Sequence, residues 1–398
     1  EDQIAAVGDL SRPLRSPADL DPLLERIGEA RCVLLGEASH GTHEYYNWRA
    51  QISERLIAEK GFSFIAVEGD WPDCYRANRF VKGYEGAGEG ALEVLYAFER
   101  WPTWMWANEE VLALADWLHD YNWGLPEERR VGFYGLDVYS LWDSLYQVIG
   151  YLRKTDGRAL EAAKGAVRCF EPYGEDPQRY ARATMWVPES CEEEAVELLA
   201  EILRKVPAAA ADGRDARFAA EQNSYVVKNA EAYYRAMVRG GPESWNIRDR
   251  HMADDGMVNV GQLVRHTYGT RNTVLVGFGS HRGSVIAGRE WEAPMEVMHV
   301  PEAREDSWED VLHRAGDNDR LLIFGGGAAS KAIAEPRGHR AIGVVYHPET
   351  ESYGNYVPTV LPKRYDAFVY LDRTRALHPL HLKSRHAGEV AETYPTGV

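Results

Sequence analysis

Apolar positions in this chain come in two spacings. Short unbroken runs bounded by turn residues recur at 32–35 (CVLL), 62–67 (FSFIAV), 131–136 (VGFYGL), 274–278 (VLVGF), 321–324 (LLIF), 341–346 (AIGVVY) and 367–371 (AFVYL). Runs of this length suit strands buried on both faces. Between several of them apolar residues recur every three or four positions. From Thr42 to Lys60, Tyr45, Trp48, Ile52 and Leu56 fall on one helical face, and Gly61 stops the helix. Residues 109–121 and 191–206 read the same way. Strand–helix alternation predicts an α/β fold with a mostly parallel central sheet flanked by helices.

Residues 140–255 break the alternation. They hold helical patterns joined by loops such as 171–178 (EPYGEDPQ), and no convincing strand. The reading is a single α/β domain over 1–398 with a helical subdomain at 140–255. The Ala-rich stretch 207–213 reads as a loop.

Composition changes this picture in three ways. The net charge of −17 disfavours nucleic acid and anionic membrane as partners. No run of 18 apolar residues occurs, and residues 1–30 carry no signal-peptide pattern. Cys32, Cys74, Cys169 and Cys191 are widely spaced without a C-x-x-C, which argues against a metal site or a disulfide framework and for reduced thiols in a cytoplasmic protein. With 12 Trp and 22 Tyr, aromatic walls for a small organic substrate are available. No cofactor or metal is expected, and the oligomeric state is not readable.

The candidate chemistry lies where the strands end. Glu37 follows 32–35, Glu68 follows 62–67, Asp137 follows 131–136, and His281 stands a few residues after 274–278. In parallel α/β sheets ligands bind beyond the carboxyl ends of the strands. A single acid there is equally well a helix cap, and for Asp137 the two readings weigh the same. Four such ends favour a site. In "GEASHG" (36–41), Gly36 and Gly41 let the backbone turn, so that Glu37 and His40 share a tight loop before the helix at Thr42. The helix's positive end favours a neutral imidazole, which takes a proton from water. Glu37 or Glu68 fixes its tautomer or holds the water, and Arg49 steadies a carboxylate or a developing oxyanion. The structural alternative for His40 is a satisfied histidine in a turn.

Other chemistries lack their residues. His43-Glu44 begins an H-E-x-x-H string, but Asn47 stands at the second histidine. No serine lies in G-x-S-x-G, and Gly325-Gly326-Gly327 lacks dinucleotide-binding and P-loop spacing. The segment "WPTWMW" (101–106) is expected to bring at least one of Trp101, Trp104 and Trp106 to the cleft, because three indoles so close cannot share one side of a helix.

"GEASHGTHEYYNWRAQISERLI" and "FIAVEGDWPDCYRANRFV" resemble the erythromycin esterase family, and most closely its bacterial branch associated with phosphoribosyltransferases. "WMWANEEVL", "VGFYGLDVYSL", "WNIRDRHMAD", "NVGQLVRHTYG" and "VLVGFGSHRGSV" support the likeness, which covers nearly the whole chain. The resemblance implies metal-independent hydrolysis of an ester or lactone, as in macrolide esterases tied to antibiotic resistance. It places the base on His40, its Glu on Glu37, the helix arginine on Arg49 and the second-strand acid on Glu68. His281 and Asp137, with the three tryptophans, are expected to line the substrate site. One departure is plain. The family's Trp-Ala-His-Asn run, with a second active-site histidine, belongs between "RDRHMAD" and "NVGQLVR", where Asp255 here meets Gly256. Either the run is missing from the sequence or the protein lacks that histidine. The alternatives to a hydrolase are an acid–base enzyme of another reaction type, such as elimination or acyl transfer, and a catalytically incomplete ligand-binding protein.

Overall fold

The computed structural model describes residues 2–155, 159–175, 177–186, 190–203, 211–239, 243–253 and 260–381. Its strands are β1 (Ser11–Pro13), β2 (Cys32–Leu35), β3 (Phe64–Asp70), β4 (Gly132–Asp137), β5 (Thr273–Gly288), β6 (Met295–Val300), β7 (Arg320–Ile323), β8 (Arg337–Arg340), β9 (Tyr356–Thr359) and β10 (Ala367–Thr374). The helices that matter for the site are α1 (His43–Lys60), α2 (Trp71–Val81), α3 (Glu109–Asn122), α4 (Leu141–Thr155), α5 (Ala159–Phe170), α6 (Glu192–Leu203), α7 (Ala211–Met237) and α8 (Glu243–Ala253). Chain contacts divide them into two compact units. One comprises 1–63, 89–121 and 264–398; the other comprises 64–88 and 122–263.

The first unit carries a six-stranded sheet in the order β1-β7-β10-β5-β2, with β6 also paired to β5. β5 is parallel to β2 and to β10, whereas β1–β7, β7–β10 and β5–β6 are antiparallel. The sheet is therefore mixed, not mostly parallel as the sequence reading had it. Part of the reason is connection length: the short 289–294 link between β5 and β6 cannot make the crossover of about a dozen residues that a parallel neighbour needs. The apolar face of α1 is as expected, with Tyr45, Trp48, Ile52 and Leu56 packing with Val274, Val276, Phe278, Val369 and Leu371. Each such apolar side chain contributes about 1.5–3 kcal/mol by burial. Gly61 ends α1 in the left-handed region (φ 72°), its N–H donating to the Leu56 carbonyl.

The run 341–346 is not a strand. Its residues form isolated bridges, Ile342 beside Ser39 and Val345 beside Gly288, and Ile342, Val344 and Tyr346 are buried. The neighbouring β8 and β9 form their own antiparallel pair.

The second unit holds the parallel pair β3–β4, α2 packed on β4, and the helices of the 140–255 stretch. Its core gathers Leu145, Val148 and Leu152 of α4, Phe170 of α5, Leu198 of α6 and Tyr233 of α7. Residues 204–206 of the expected helix and 207–210 of the expected loop lie outside the described residues, and from Ala211 the chain is helical in α7, not loop. The expectation of four reduced thiols is corrected here: Cys169 and Cys191 form a disulfide, while Cys32 and Cys74 are free. The helical packing brings the end of α5 to the start of α6, which a sequence separation of 22 residues does not reveal.

Candidate functional site

The loop after β2 is held from several sides. Ile342 N donates to Ala38 O (2.7 Å), Ile286 N and Leu377 N both donate to Gly41 O (3.1 and 3.0 Å), and His43 N donates to Arg375 O (2.9 Å). Gly41 is required by close approach, not by a left-handed turn: a Cβ there would stand 2.0 Å from the Ile286 carbonyl oxygen. Backbone hydrogen bonds to β5, to 341–346 and to 375–377 thus fix the position of His40.

Within that loop Glu37, His40 and Arg49 come together. Arg49 Nη1 donates to Glu37 Oε2 at 2.7 Å, and His40 Nδ1 lies 3.5 Å from Glu37 Oε1. The three side chains are 14%, 25% and 16% exposed in the order Glu37, His40, Arg49, so His40 keeps the most access to solvent. Burial works against an ionised Glu37, but the adjacent Arg49 guanidinium and His40 imidazole outweigh it and hold the carboxyl below its usual range. Burial likewise opposes the charge on Arg49, and Glu37 outweighs it. The Arg49 guanidinium rests 4.2 Å above the Tyr46 ring, and Tyr46 in turn packs against Trp106 at 6.2 Å.

The three tryptophans differ in their surroundings. Trp104 is fully buried, and Trp101 is 3% exposed with its ring 4.6 Å from Trp291. Trp106 is half-buried beside Tyr46. The segment is a 3₁₀ turn (Thr103–Met105), not an α-helix. His281 lies inside β5, which continues to Gly288, and not beyond a strand end. It is 3% exposed and stacks on His313 at 3.8 Å, and burial with the neighbouring His313 pushes its pKa down.

Glu68 and Asp137 belong to the second unit. Glu68 sits where the β3–β4 register shifts, between Val67 and Asp70, and Asp137 ends β4. The four ionisable residues expected along one sheet edge are therefore divided between two sheets. Arg248 of α8 binds both carboxylates: Nε and Nη2 donate to Asp137 at 2.8 and 2.6 Å, and Nη2 also donates to Glu68. Burial opposes the Arg248 charge, but Asp137 outweighs it and raises its pKa well above the ordinary value. The sequence reading quoted "WNIRDRHMAD" without singling out Arg248. The helix carries two arginines, Arg248 and Arg250, and nothing in the letters says which of them reaches Glu68 and Asp137. His251, read as structural, is pushed down to about 4 by burial and pairs with Asn229 at 2.7 Å.

Among the described residues, no helix is long and apolar enough to cross a membrane. The chain is similar to erythromycin esterase type II of Escherichia coli, at 28% identity over 129 residues. That match spans 32% of this chain and only 28% of the relative. Three solved structures share the fold. A succinoglycan biosynthesis protein (19% identity) and a Bacillus cereus protein (18%) each have a TM-score of 0.77, covering 95% of this chain and 98% of theirs. A mutant of the erythromycin esterase EreC in its open conformation has a TM-score of 0.60 at 15% identity, covering 91% and 95%. The family profile matches in two pieces, 57–255 and 253–374, which meet where the Trp-Ala-His-Asn run is expected. That junction, 254–259, lies outside the described residues. Because the two pieces together span most of its length, the chain belongs to the erythromycin esterase family.

Proposed function

We propose that this protein hydrolyses an ester or lactone of a small organic molecule with His40 as general base. Family membership supports a hydrolase. The observation that carries the mechanism is the Glu37–His40–Arg49 cluster. An ionised Glu37 beside His40 Nδ1 favours the tautomer with its proton on that nitrogen, leaving Nε2 to accept a proton from water. The resulting hydroxide attacks the acyl carbon, the tetrahedral intermediate collapses, and the imidazolium returns the proton to the leaving alkoxide. Arg49 is already engaged by Glu37, so its role is to hold that carboxylate ionised and oriented. Glu68 and Asp137, with Arg248, are an electrostatic frame in the second unit. Trp106 is the tryptophan best placed to touch substrate, and His281 supports the sheet.

A second reading has its own observation. The family match breaks where the second histidine is expected, which favours a ligand-binding protein with an incomplete catalytic set. A panel of aryl esters, alkyl esters and lactones separates the two. The first reading expects acid and alcohol products that disappear with His40→Asn; binding without turnover of any member supports the second.

A further inference from the structure

Outside the proposed catalytic cluster, three side chains of the first unit converge in a way that hydrogen bonding explains poorly. Glu110 on α3 is 5% exposed. Its Oε1 receives His43 Nδ1, from the first turn of α1, and His378 Nδ1 at 2.8 Å, while its Oε2 is buried and has no hydrogen-bond partner among the described residues. Two donors thus crowd one oxygen and the other is left bare, although a buried polar atom without a partner costs about 1–3 kcal/mol. The two imidazoles meet edge to face, with ring centres 5.0 Å apart. One ligand atom from each residue falls within 4.8 Å of the others.

We propose that His43, Glu110 and His378 bind a divalent transition-metal cation of the zinc class. Two imidazoles and a carboxylate are a donor set that suits Zn²⁺, with bonds of about 2.0–2.2 Å. A tetrahedral ion then holds its ligand atoms ~3.3 Å apart, so the cluster needs only small side-chain rotations to accept it. The ion replaces the two crowded N–H donors, and the unpartnered Glu110 oxygen stands at the same place to join or orient the coordination. The second shell is present as well. Asn47 Nδ2 lies 2.8 Å from His43 Nε2. As placed, the amide donates and His43 carries its proton on Nδ1. A half-turn of the amide makes Asn47 Oδ1 the acceptor of an Nε2–H and frees the Nδ1 lone pair for the metal. Asn47, which removes the H-E-x-x-H motif from this helix, thereby acts as an outer-shell partner to His43.

The ion's role is to tie segments together. His43 begins the helix that follows the His40 loop. Residues 376–380 already run along both partners, with Leu377 N donating to Gly41 O, Glu109 N to His378 O and Leu380 N to Ala107 O. A cation at this point pins that segment and α3 to the start of α1. His378 is 50% exposed, which leaves a route for metal entry and a position for water.

The test uses the full chain, stripped with a chelator and dialysed against Zn²⁺, with bound metal measured by mass spectrometry and Co²⁺ absorption recorded in parallel. The expected result is one ion per chain, a Co²⁺ spectrum of low coordination number, and a raised melting temperature. His378→Ala, at a half-exposed position that leaves the fold intact by circular dichroism, loses this binding by more than the ~10–100-fold that an outer-shell change costs. Asn47→Ala loses affinity within that range, and Glu110→Gln abolishes binding. Equal zinc content in wild type and His378→Ala, or no ion bound by the wild type, overturns the proposal and leaves a hydrogen-bonded His–Glu–His cluster. None of these readouts depends on ester hydrolysis, so the two proposals fail separately.

Discussion

An arginine meets carboxylate in each unit of this protein, Arg49 in the first and Arg248 in the second, yet the two clusters are built for different ends. In the first, Arg49 meets one carboxylate, Glu37, and the charges cancel; the remaining carboxylate oxygen faces an imidazole. In the second, Arg248 meets two, Asp137 and Glu68, and Asp137 is gripped by two nitrogens. The first arrangement suits the proposed proton acceptor, His40, which keeps partial access to solvent. The second contains an arginine whose side chain is 8% exposed, against an aspartate at 6%. A neutral pair orients a third group beside it, whereas a doubly engaged cation fixes structure.

Removing the cations sharpens that contrast. Arg248→Met strands Asp137 as a buried charge, and breaking such a pair costs about 3–5 kcal/mol. The expected outcome is a large loss in equilibrium unfolding, with far-ultraviolet circular dichroism reporting melted helix; a wild-type midpoint would mean the pair carries no stability. Arg49→Met removes a charged hydrogen bond worth about 1.5–3 kcal/mol. It lowers kcat on any accepted ester more than its stability loss accounts for, measured with protein kept well below its melting temperature. Glu37→Gln acts through pH. The folded-state pKa of Glu37 is depressed below the ordinary 4.5, so its ionisation contributes stability above that value, and this is lost as pH falls through the depressed folded value. The variant therefore flattens the acid limb of a stability-versus-pH curve, read by urea unfolding at several pH values; an unchanged limb contradicts the depressed pKa. Glu68→Gln has the smallest effect. Its side chain is 40% exposed, solvent screens the pair, and about 0–1 kcal/mol is expected.

Legibility in the sequence followed how each residue is buried. β2, most of β7 and the first parts of β5 and β10 are apolar runs that announce themselves, whereas nothing in the polar stretch 280–284 announces that β5 continues to Gly288. β6 (MEVMHV) and β8 (RGHR) mix polar residues into their pairing, and nothing in those letters signals a strand. The run 341–346 is as apolar as a strand because it covers the His40 loop through bridges, a placement that only the tertiary structure reveals. Glu37, His40 and Arg49 were legible because a loop and the next helix bring them together locally. Arg248 was not, since it reaches Glu68 and Asp137 from far along the chain. His378 joins His43 and Glu110 in the same way, and the Cys169–Cys191 disulfide depends on how the helices pack.

The central claim is that His40 accepts the proton from water. The most direct measurement is kcat/KM against pH, for wild type and His40→Asn, on one ester that the wild type hydrolyses. Asparagine keeps size and hydrogen bonding but accepts no proton near neutrality. The account predicts a wild-type rate that rises from acid to neutral pH as an imidazole loses its proton. In His40→Asn that limb is absent and the plateau is lower by about 10²–10⁴-fold, the usual contribution of a general base, with the fold unchanged. A variant that keeps both the limb and a near-wild-type rate would remove His40 from the mechanism.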